Sequence, residues 1–217
     1  MSAHPAIVGI VHVVDDDRAF RTAMERLLSA AGHKPRLYPS AMAYFEASVP
    51  DGPACVLLDL RMPGPDGLSL HKSLSERGDM LPVIFLSGHG DIPSTVRAMQ
   101  GGAIDFLTKP VPTETLLEAI GRALTRDVQR REQSNHLADL RERYDALTPR
   151  ERQVMSGVIA GRLNKQICYT LQTAERTVKT HRARVMEKMK VRSVAELVRL
   201  SEELEGAGIT LEKVAWD

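Results

Sequence analysis

Ala54-Cys55-Val56-Leu57-Leu58-Asp59-Leu60-Arg61-Met62-Pro63 decides the fold. An unbroken apolar run, Val56 to Leu58, closes on a carboxylate and then on a turn rich in Pro and Gly. A short strand that is apolar at every position suits burial on both faces, as in a parallel sheet. The carboxyl ends of such strands are where α/β folds place their chemistry, and Asp59 stands at that end. Working outward, Ile7 to Val14 reads as a first strand ending in Asp15-Asp16-Asp17. Arg18 to Ala31 carries Phe20, Met24, Leu27 and Leu28 at helical spacing, with Gly32 as its stop. Lys34 to Tyr38 is a second strand, and Ser40 caps a short helix. After the third strand, Cys55 to Leu58, come a helix over Gly67 to Arg77, a fourth strand over Leu81 to Leu86 and a helix over Asp91 to Gln100. Ile104 to Leu107 is a fifth strand, and Thr113 opens a fifth helix. Strands alternating with helices in this way predict a five-stranded parallel, doubly wound sheet of the flavodoxin-like kind.

In such a sheet the strand ends gather on one edge. Asp15 and Asp16 follow strand one, Asp59 ends strand three, Ser87 follows strand four and Lys109 follows strand five. Packed carboxylates repel one another. A hard divalent cation relieves that repulsion, and oxygen donors without Cys or His favour Mg²⁺. A carboxylate beside Mg²⁺, a hydroxyl and a lysine is arranged to accept a phosphoryl group. A single acid at a strand end is ordinarily a helix cap or a solvated side chain; five matched positions on one edge point to chemistry.

These residues carry a resemblance. Val13-Val14-Asp15-Asp16-Asp17, Leu58-Asp59-Leu60-Arg61-Met62-Pro63, Leu86-Ser87-Gly88-His89-Gly90-Asp91 and Phe106-Leu107-Thr108-Lys109-Pro110 resemble the receiver domain of two-component response regulators. The Ser-Gly-His-Gly-Asp run, with Arg97 to Phe106, looks like the FixJ subgroup. The resemblance implies that Asp59 is the phospho-acceptor, loaded by a sensor histidine kinase. It implies that Asp16, Asp59 and the Arg61 backbone carbonyl ligate Mg²⁺, with Asp15 acting through water. It makes Ser87 and Phe106 a switch pair and Lys109-Pro110 a cis peptide. Val111 stands where the subgroup often has Phe, on the surface of the fourth helix, fifth strand and fifth helix through which such regulators pair.

The near-zero net charge of the chain, +1, hides a split. Residues 1–127 hold 12 basic and 15 acidic side chains, residues 148–200 hold 12 and 4, and residues 201–217 hold 1 and 5. An acidic half is thus joined to a basic half suited to a polyanion. No apolar run approaches the ~20 residues needed to span a membrane, and no signal-peptide pattern opens the sequence, so a cytoplasmic protein is expected. Cys55 and Cys168 lie in separate apolar patterns and read as buried thiols.

Thr113 to Tyr144 contains one Gly, at 121, and no Pro. Leu117, Ile120, Leu124 and Val128 form a stripe, residues 129–136 are polar, and Leu137, Leu140 and Tyr144 resume. One long helix running solvated between domains is predicted in preference to two helices broken near Glu132 to Asn135. The expected division is a receiver over residues 1–125, a linker helix over 126–146, a DNA-binding unit over 147–206 and an acidic tail over 207–217.

The basic half opens on Thr148 as N-cap, Pro149 at the first helical position and Glu151 at the third. Val154, Val158 and Ile159 are its apolar face, and Gly161 ends it. A second helix starts at Asn164. A third runs from Ala174 to Lys190 with Val178, Val185 and Met189 inward and Arg176, Lys179, Thr180, Ala183, Arg184 and Lys188 outward. A fourth holds Val194, Leu197, Val198 and Leu200. A basic helix after a tight turn fits a helix-turn-helix with its third helix in the major groove. Leu147 to Glu151, Asn164 to Ile167 and Thr177 to Arg182 resemble the LuxR/NarL-type helix-turn-helix. That resemblance makes Lys179, Thr180 and Ala183 groove-facing and Arg176, His181, Arg182 and Arg184 phosphate or base contacts. Lys165, Thr177 and Lys188 complete the DNA-facing set; His181 reads equally as a packing residue. Gln172 stands where the turn usually has Gly, and Ala174 where the helix usually has a capping Ser, a loss of roughly 1 kcal/mol that Thr173 offsets if it caps one residue early. The whole reads as a regulator phosphorylated on Asp59, which then forms a homodimer and binds double-stranded DNA at paired half-sites. An aspartate-nucleophile phosphatase is the enzyme alternative, but such sites usually carry a second Asp where Arg61 stands. A signalling adaptor that never touches DNA is the other alternative.

Overall fold

The computed structural model describes residues 7–47, 52–77, 81–88 and 92–216. It divides into two compact units, Met1–Arg131 and Glu132–Asp217. The first holds β1 (Ile10–Val14), α1 (Arg18–Ala30), β2 (Lys34–Tyr38), α2 (Ala41–Phe45), β3 (Ala54–Asp59), α3 (Gly67–Glu76), β4 (Val83–Ser87), α4 (Ile92–Gln100) and β5 (Asp105–Thr108). All strands are parallel, in the order β2-β1-β3-β4-β5. The apolar run of the third strand does what its composition requires: all six residues of β3 are buried. Its alternate side chains feed two cores. Val56 and Leu58, with Phe85 of β4, pack under α2, α3 and α4 through Tyr44, Leu70, Leu74 and Ala98. Cys55 and Leu57, with Ile84 and Leu86, pack under α1 and α5 (Thr113–Asp145) through Leu28, Leu116, Ile120 and Leu124.

The helices start where the sequence offers caps. Asp17 accepts the amides of Ala19 and Phe20, Ser40 that of Ala43, and Asp66 that of Ser69. The run of three acids after β1 therefore splits, with Asp17 serving as a cap. Ladder pairing of the first strand begins at Ile10, not Ile7, because its partners begin at Lys34 and Ala54; Ile7 packs on the core beyond the ladder. The expected start of the fourth helix at Asp91, with His89 and Gly90 before it, lies outside the described residues.

The long helix predicted through the linker is α5, one helix over Thr113–Asp145. Residues 132–136 are exposed, as their composition requires. The burial phase differs from the sequence expectation in one place: Asp127, not Val128, is fully buried. One of its oxygens accepts the Ala54 amide at the start of β3 (3.0 Å) and Arg131 Nε (2.7 Å). The other accepts Arg130 through Nη2 (2.8 Å) and Nε (3.2 Å). This anchorage carries the first unit past the boundary expected at residue 125.

In the second unit, α6 (Pro149–Ile159), α7 (Asn164–Thr170), α8 (Glu175–Lys188) and α9 (Val194–Gly206) follow the end of α5. They surround one core that includes Leu140, Val154, Met155, Ile167, Val178, Val185, Leu197 and Leu204. The capping box at Thr148 and Glu151 forms as the sequence predicts. At α8 the N-cap is Ala174 and no side chain caps it, so the expectation for Thr173 is not met. Gln172 adopts φ +48°, a left-handed conformation costing a non-Gly residue roughly 1 kcal/mol. No helix among the described residues is long and apolar enough to cross a membrane, and both cysteines are free thiols.

Two predictions follow from the first unit. His12, buried in β1, stacks on Tyr38 and bonds its hydroxyl through Nδ1 (3.0 Å), with the edge of Tyr44 against it. Burial, with Arg36 nearby, lowers its pKa from 6.5 to about 4. The unfolded chain therefore takes up this proton first, and the contribution is lost as pH falls from about 6.5 to 4, by roughly 3 kcal/mol in total. Hydrogen exchange of the β1 amides, corrected for intrinsic rate, will show less protection at pH 5 than at pH 7. His12→Phe will flatten that difference; an equal acid loss in the variant refutes the assignment. For Asp127→Ala, which strands the buried Ala54 amide and removes the carboxylate that Arg130 and Arg131 share, urea unfolding will show a loss of about 3 kcal/mol, with a smaller loss for Asp127→Asn.

Candidate acidic site and nucleic-acid interface

Parallel strands bring Asp59 at the end of β3 beside the end of β1, and Ser87 at the end of β4 beside Thr108 of β5. Lys109 follows directly, tied to the sheet by its amide on the Ser87 carbonyl (2.7 Å). The Lys109-Pro110 peptide is cis. The Lys109 ammonium lies 2.7 Å from Asp59 Oδ1 and 2.6 Å from Asp15 Oδ2, bridging two buried carboxylates. It also sits 4.2 Å from the centre of the Phe20 ring. The remaining oxygens are held by backbone: Asp59 Oδ2 accepts the Arg61 amide (3.1 Å) and Asp15 Oδ1 the Asp17 amide (2.9 Å). Gly67 opens α3 against this strand end, and a Cβ there would stand 2.4 Å from the Asp59 carbonyl oxygen. Only glycine permits that approach.

Burial pushes the Asp59 carboxyl above the ordinary carboxylate range, and Asp15 adds to the push. Lys109 and the Arg61 amide oppose it without cancelling it. For Lys109, burial disfavours the charge, but the two carboxylates more than offset it and hold the ammonium above its usual range. The site sets two inward carboxylates against one bridging ammonium, while the Arg21 guanidinium donates to the Asp15 backbone carbonyl (2.6 Å) rather than to either carboxylate.

Sequence reasoning expected three carboxylates to gather. The structure brings together Asp15, Asp59 and Lys109 but leaves Asp16 exposed. Among the described residues no group of three or more His, Cys, Asp or Glu is close enough to hold a metal ion. Both residues follow the last residue of β1, in the turn into α1; Asp15 is buried there, held by Lys109 and the Asp17 amide, while Asp16 is exposed. The oxygen-only donor set still suits a hard cation, and Asp16 borders the site. Ser87 is buried at the same edge. Phe106 is half-buried, its ring stacked 6.4 Å from that of Phe85.

In the second unit α8 presents Arg176, Thr177, Lys179, Thr180, Ala183 and Arg184 to solvent, and Lys165 is exposed on α7. Other members of the set expected to face DNA are engaged within the fold. Arg182 is half-buried and donates to Asn164 Oδ1 (3.2 Å). His181 is half-buried with Nδ1 unpartnered, which fits the packing role. Lys188, expected on the DNA face, is engaged in an ion pair within the fold. Its ammonium meets the buried Glu151 carboxylate at 2.7 Å and the Ala146 carbonyl at 3.0 Å. Burial would raise the Glu151 pKa, but Lys188 and the Thr148 amide lower it below the ordinary range. A buried glutamate in a capping box needs a counter-ion, and Lys188 supplies it from the last turn of α8. The two functional features that sequence reasoning missed, Asp127 and the tail after α9, belong to the scaffolds of these sites.

Comparisons with known proteins agree with this division. Residues 11–121 match the family of the response regulator receiver domain, and residues 145–201 the luxR family of bacterial regulatory proteins. The chain is 44% identical over 195 residues to Nodulation protein W of Bradyrhizobium diazoefficiens, covering 90% of this chain and 86% of that protein. It is 41% identical over 192 residues to the transcriptional regulatory protein FixJ of Rhizobium meliloti, covering 88% and 94%. Among solved structures, the response regulator StyR superposes with a TM-score of 0.84 at 42% identity, covering 91% of this chain and 100% of that one.

The two kinds of basic residue on α8 are separable by experiment. Lys188→Met will lower the stability of the second unit by about 2 kcal/mol, because Glu151 stays buried without its cation. Duplex-DNA affinity of the folded variant at 25 °C will change less than about twofold, within the scatter of positions that make no phosphate contact. Lys179→Met will do the reverse, weakening binding several-fold with little change in melting temperature. Equal loss of affinity in both variants returns Lys188 to the DNA face.

Proposed function

The chain belongs to the family of response regulators that join a receiver domain to a LuxR-type DNA-binding domain, and from that premise we propose that Asp59 is the residue through which it is switched. The observation that carries this is the Lys109 ammonium held between Asp59 and Asp15 at the carboxyl edge of the sheet. Asp59 attacks the phosphoryl group of a phosphohistidine on a sensor histidine kinase, the phosphorus–oxygen bond forms, and the kinase imidazole leaves. Lys109 neutralises charge on the transferred oxygens, and the Ser87 hydroxyl hydrogen-bonds one of them. Asp16, Asp59 and the Arg61 carbonyl would hold Mg²⁺, whose charge would relieve the repulsion between the carboxylates. Both oxygens of Asp15 already accept hydrogen bonds, which suits action through water.

The output follows from Ser87 and Phe106. Movement of the hydroxyl toward the phosphoryl group frees space that the Phe106 ring, stacked on Phe85, enters. That repacks the surface of α4, where Ile92, Val96 and Met99 recur at helical spacing and are exposed. Two copies pair there, and two α8 helices enter successive major grooves with Arg176, Lys179, Thr180, Ala183 and Arg184 against DNA. We place the protein in the cytoplasm, with the receiver function ending within α5, that helix as the linker, and the DNA-binding function in residues 147–206. The phosphatase and adaptor alternatives are not favoured, since the relatives are named as transcriptional and response regulators.

Sedimentation with Mg²⁺, with and without beryllofluoride, tests this reading on the wild type and Asp59→Asn. Only the wild type with beryllofluoride will sediment as a dimer. A shift in both proteins, or in neither, contradicts it.

A further inference from the structure

After α9 the chain does not trail away. Gly208, at φ +81°, reverses its direction, and residues 209–216 run back across the second unit without regular secondary structure. Leu211 is buried in the core, and Ile209, Val214 and Trp216 pack against it. Four hydrogen bonds fasten the backbone and the indole. The Glu212 amide donates to Tyr144 Oη (2.7 Å). The Val214 amide and Trp216 Nε1 both donate to Ser156 Oγ on α6 (3.2 Å each). Arg162, in the turn between α6 and α7, donates to the Trp216 carbonyl (2.8 Å). Gly157 leaves the space: a Cβ there would stand 2.8 Å from both Trp216 Cη2 and Ile167 Cγ1, so the indole and the buried anchor of α7 meet over one point of α6. This segment lies beyond the luxR family match, which ends at residue 201.

The corner that the segment touches is poorly fixed by local signals. The N-cap of α7 is Leu163, whose side chain offers no acceptor, so that end is capped from the other direction, by Gln166 Oε1 on the Leu163 amide (2.8 Å). The turn after α7 carries Gln172 in a left-handed conformation, and α8 starts at an uncapped Ala174. A seven-residue helix with this little local support has no stability of its own and takes its orientation from what packs on it. Base readout needs that orientation, whereas phosphate attraction tolerates small errors. We propose that residues 209–216 form a positioning strap for the DNA-binding unit. By clasping α6 at Ser156 and the α6–α7 turn at Arg162, the strap sets the angle at which α7 presents α8 to the major groove. Ser156 and Trp216 are then determinants of sequence discrimination that never touch DNA.

The test uses the full-length protein with beryllofluoride and two probes: duplexes that the wild type enriches from a random 40-mer pool, and an unselected duplex at the same salt. Ser156→Ala removes the shared acceptor; Trp216→Phe keeps an aromatic ring and removes the indole N–H. The emission of Trp216, the sole tryptophan, reports whether the strap of Ser156→Ala has left its seat. In each variant the ratio of selected to unselected affinity falls at least about fivefold. Affinity for the unselected duplex and its salt slope stay within about twofold, because the phosphate contacts are kept. Hydrogen exchange in residues 163–175 accelerates. A purely structural tail would lower the melting temperature and leave the affinity ratio of the folded protein unchanged. That result, or a gain in affinity on loosening the strap, overturns the proposal. If Ser156→Ala does not fold, Trp216→Phe alone decides between these outcomes.

Discussion

The Lys109 ammonium, 2.6 Å from Asp15 and 2.7 Å from Asp59, is the contact on which the first unit converges. Two carboxylates cannot be buried side by side without a cation. The sheet order makes the meeting possible: β1 and β3 are neighbours, and β5 lies two strands along, so only the long side chain of lysine spans the edge. Gly67 lets α3 start against the Asp59 carbonyl, and Asp17 takes the cap of α1 so that Asp15 is free to face inward. The charge balance also explains why such a site can switch. With one cation for two carboxylates, burial leaves Asp59 with a raised pKa even beside a lysine. Further positive charge at that edge acts on a group that is already poorly satisfied.

Much of this was legible because it is periodic or punctuated. The apolar run over Val56 to Leu58, the caps at Ser40 and Thr148 and the stop at Gly32 are local signals. The structure obeys them because burial and hydrogen bonding point the same way. Asp127 was not legible by the same logic. The stripe Leu117, Ile120, Leu124, Val128 and the stripe Leu116, Ile120, Ala123, Asp127 are nearly the same helical face, and a pattern of apolar residues selects the first. Burial follows the second. The available signal was the arginine pair at three and four residues further on, which is what a buried aspartate on a helix needs. The different exposure of Asp15 and Asp16 was not legible either, because adjacent acids read as one group while the turn after β1 buries the first and leaves the second exposed.

The second unit shows how a motif hides division of labour. A basic face on α8 reads as one surface, yet Lys188 neutralises Glu151 while Arg176, Lys179 and Arg184 remain exposed. Charge counting cannot separate these, because the partner that decides, Glu151, lies 37 residues away and its burial is a tertiary fact. The same holds for the tail. Its acidic composition gave no structural expectation, yet Leu211, Val214 and Trp216 carry the packing while Lys213 is exposed.

Asp127 and the strap share a physical logic. Each uses buried polar atoms to fix an element whose own sequence leaves it loosely held: β3 at its amino end, through the Ala54 amide, and the α6–α7 corner, where the N-cap residue of α7 offers no acceptor. Apolar packing is tolerant of sliding, because one methyl contact substitutes for another. A hydrogen bond to a buried donor is not tolerant, since a shift of an ångström leaves the donor unpaired at a cost of about 1–3 kcal/mol. Such bonds therefore set position more than they add stability. In a protein whose task is to convert a change at one carboxylate into alignment of one helix, position is the quantity that the scaffold has to hold.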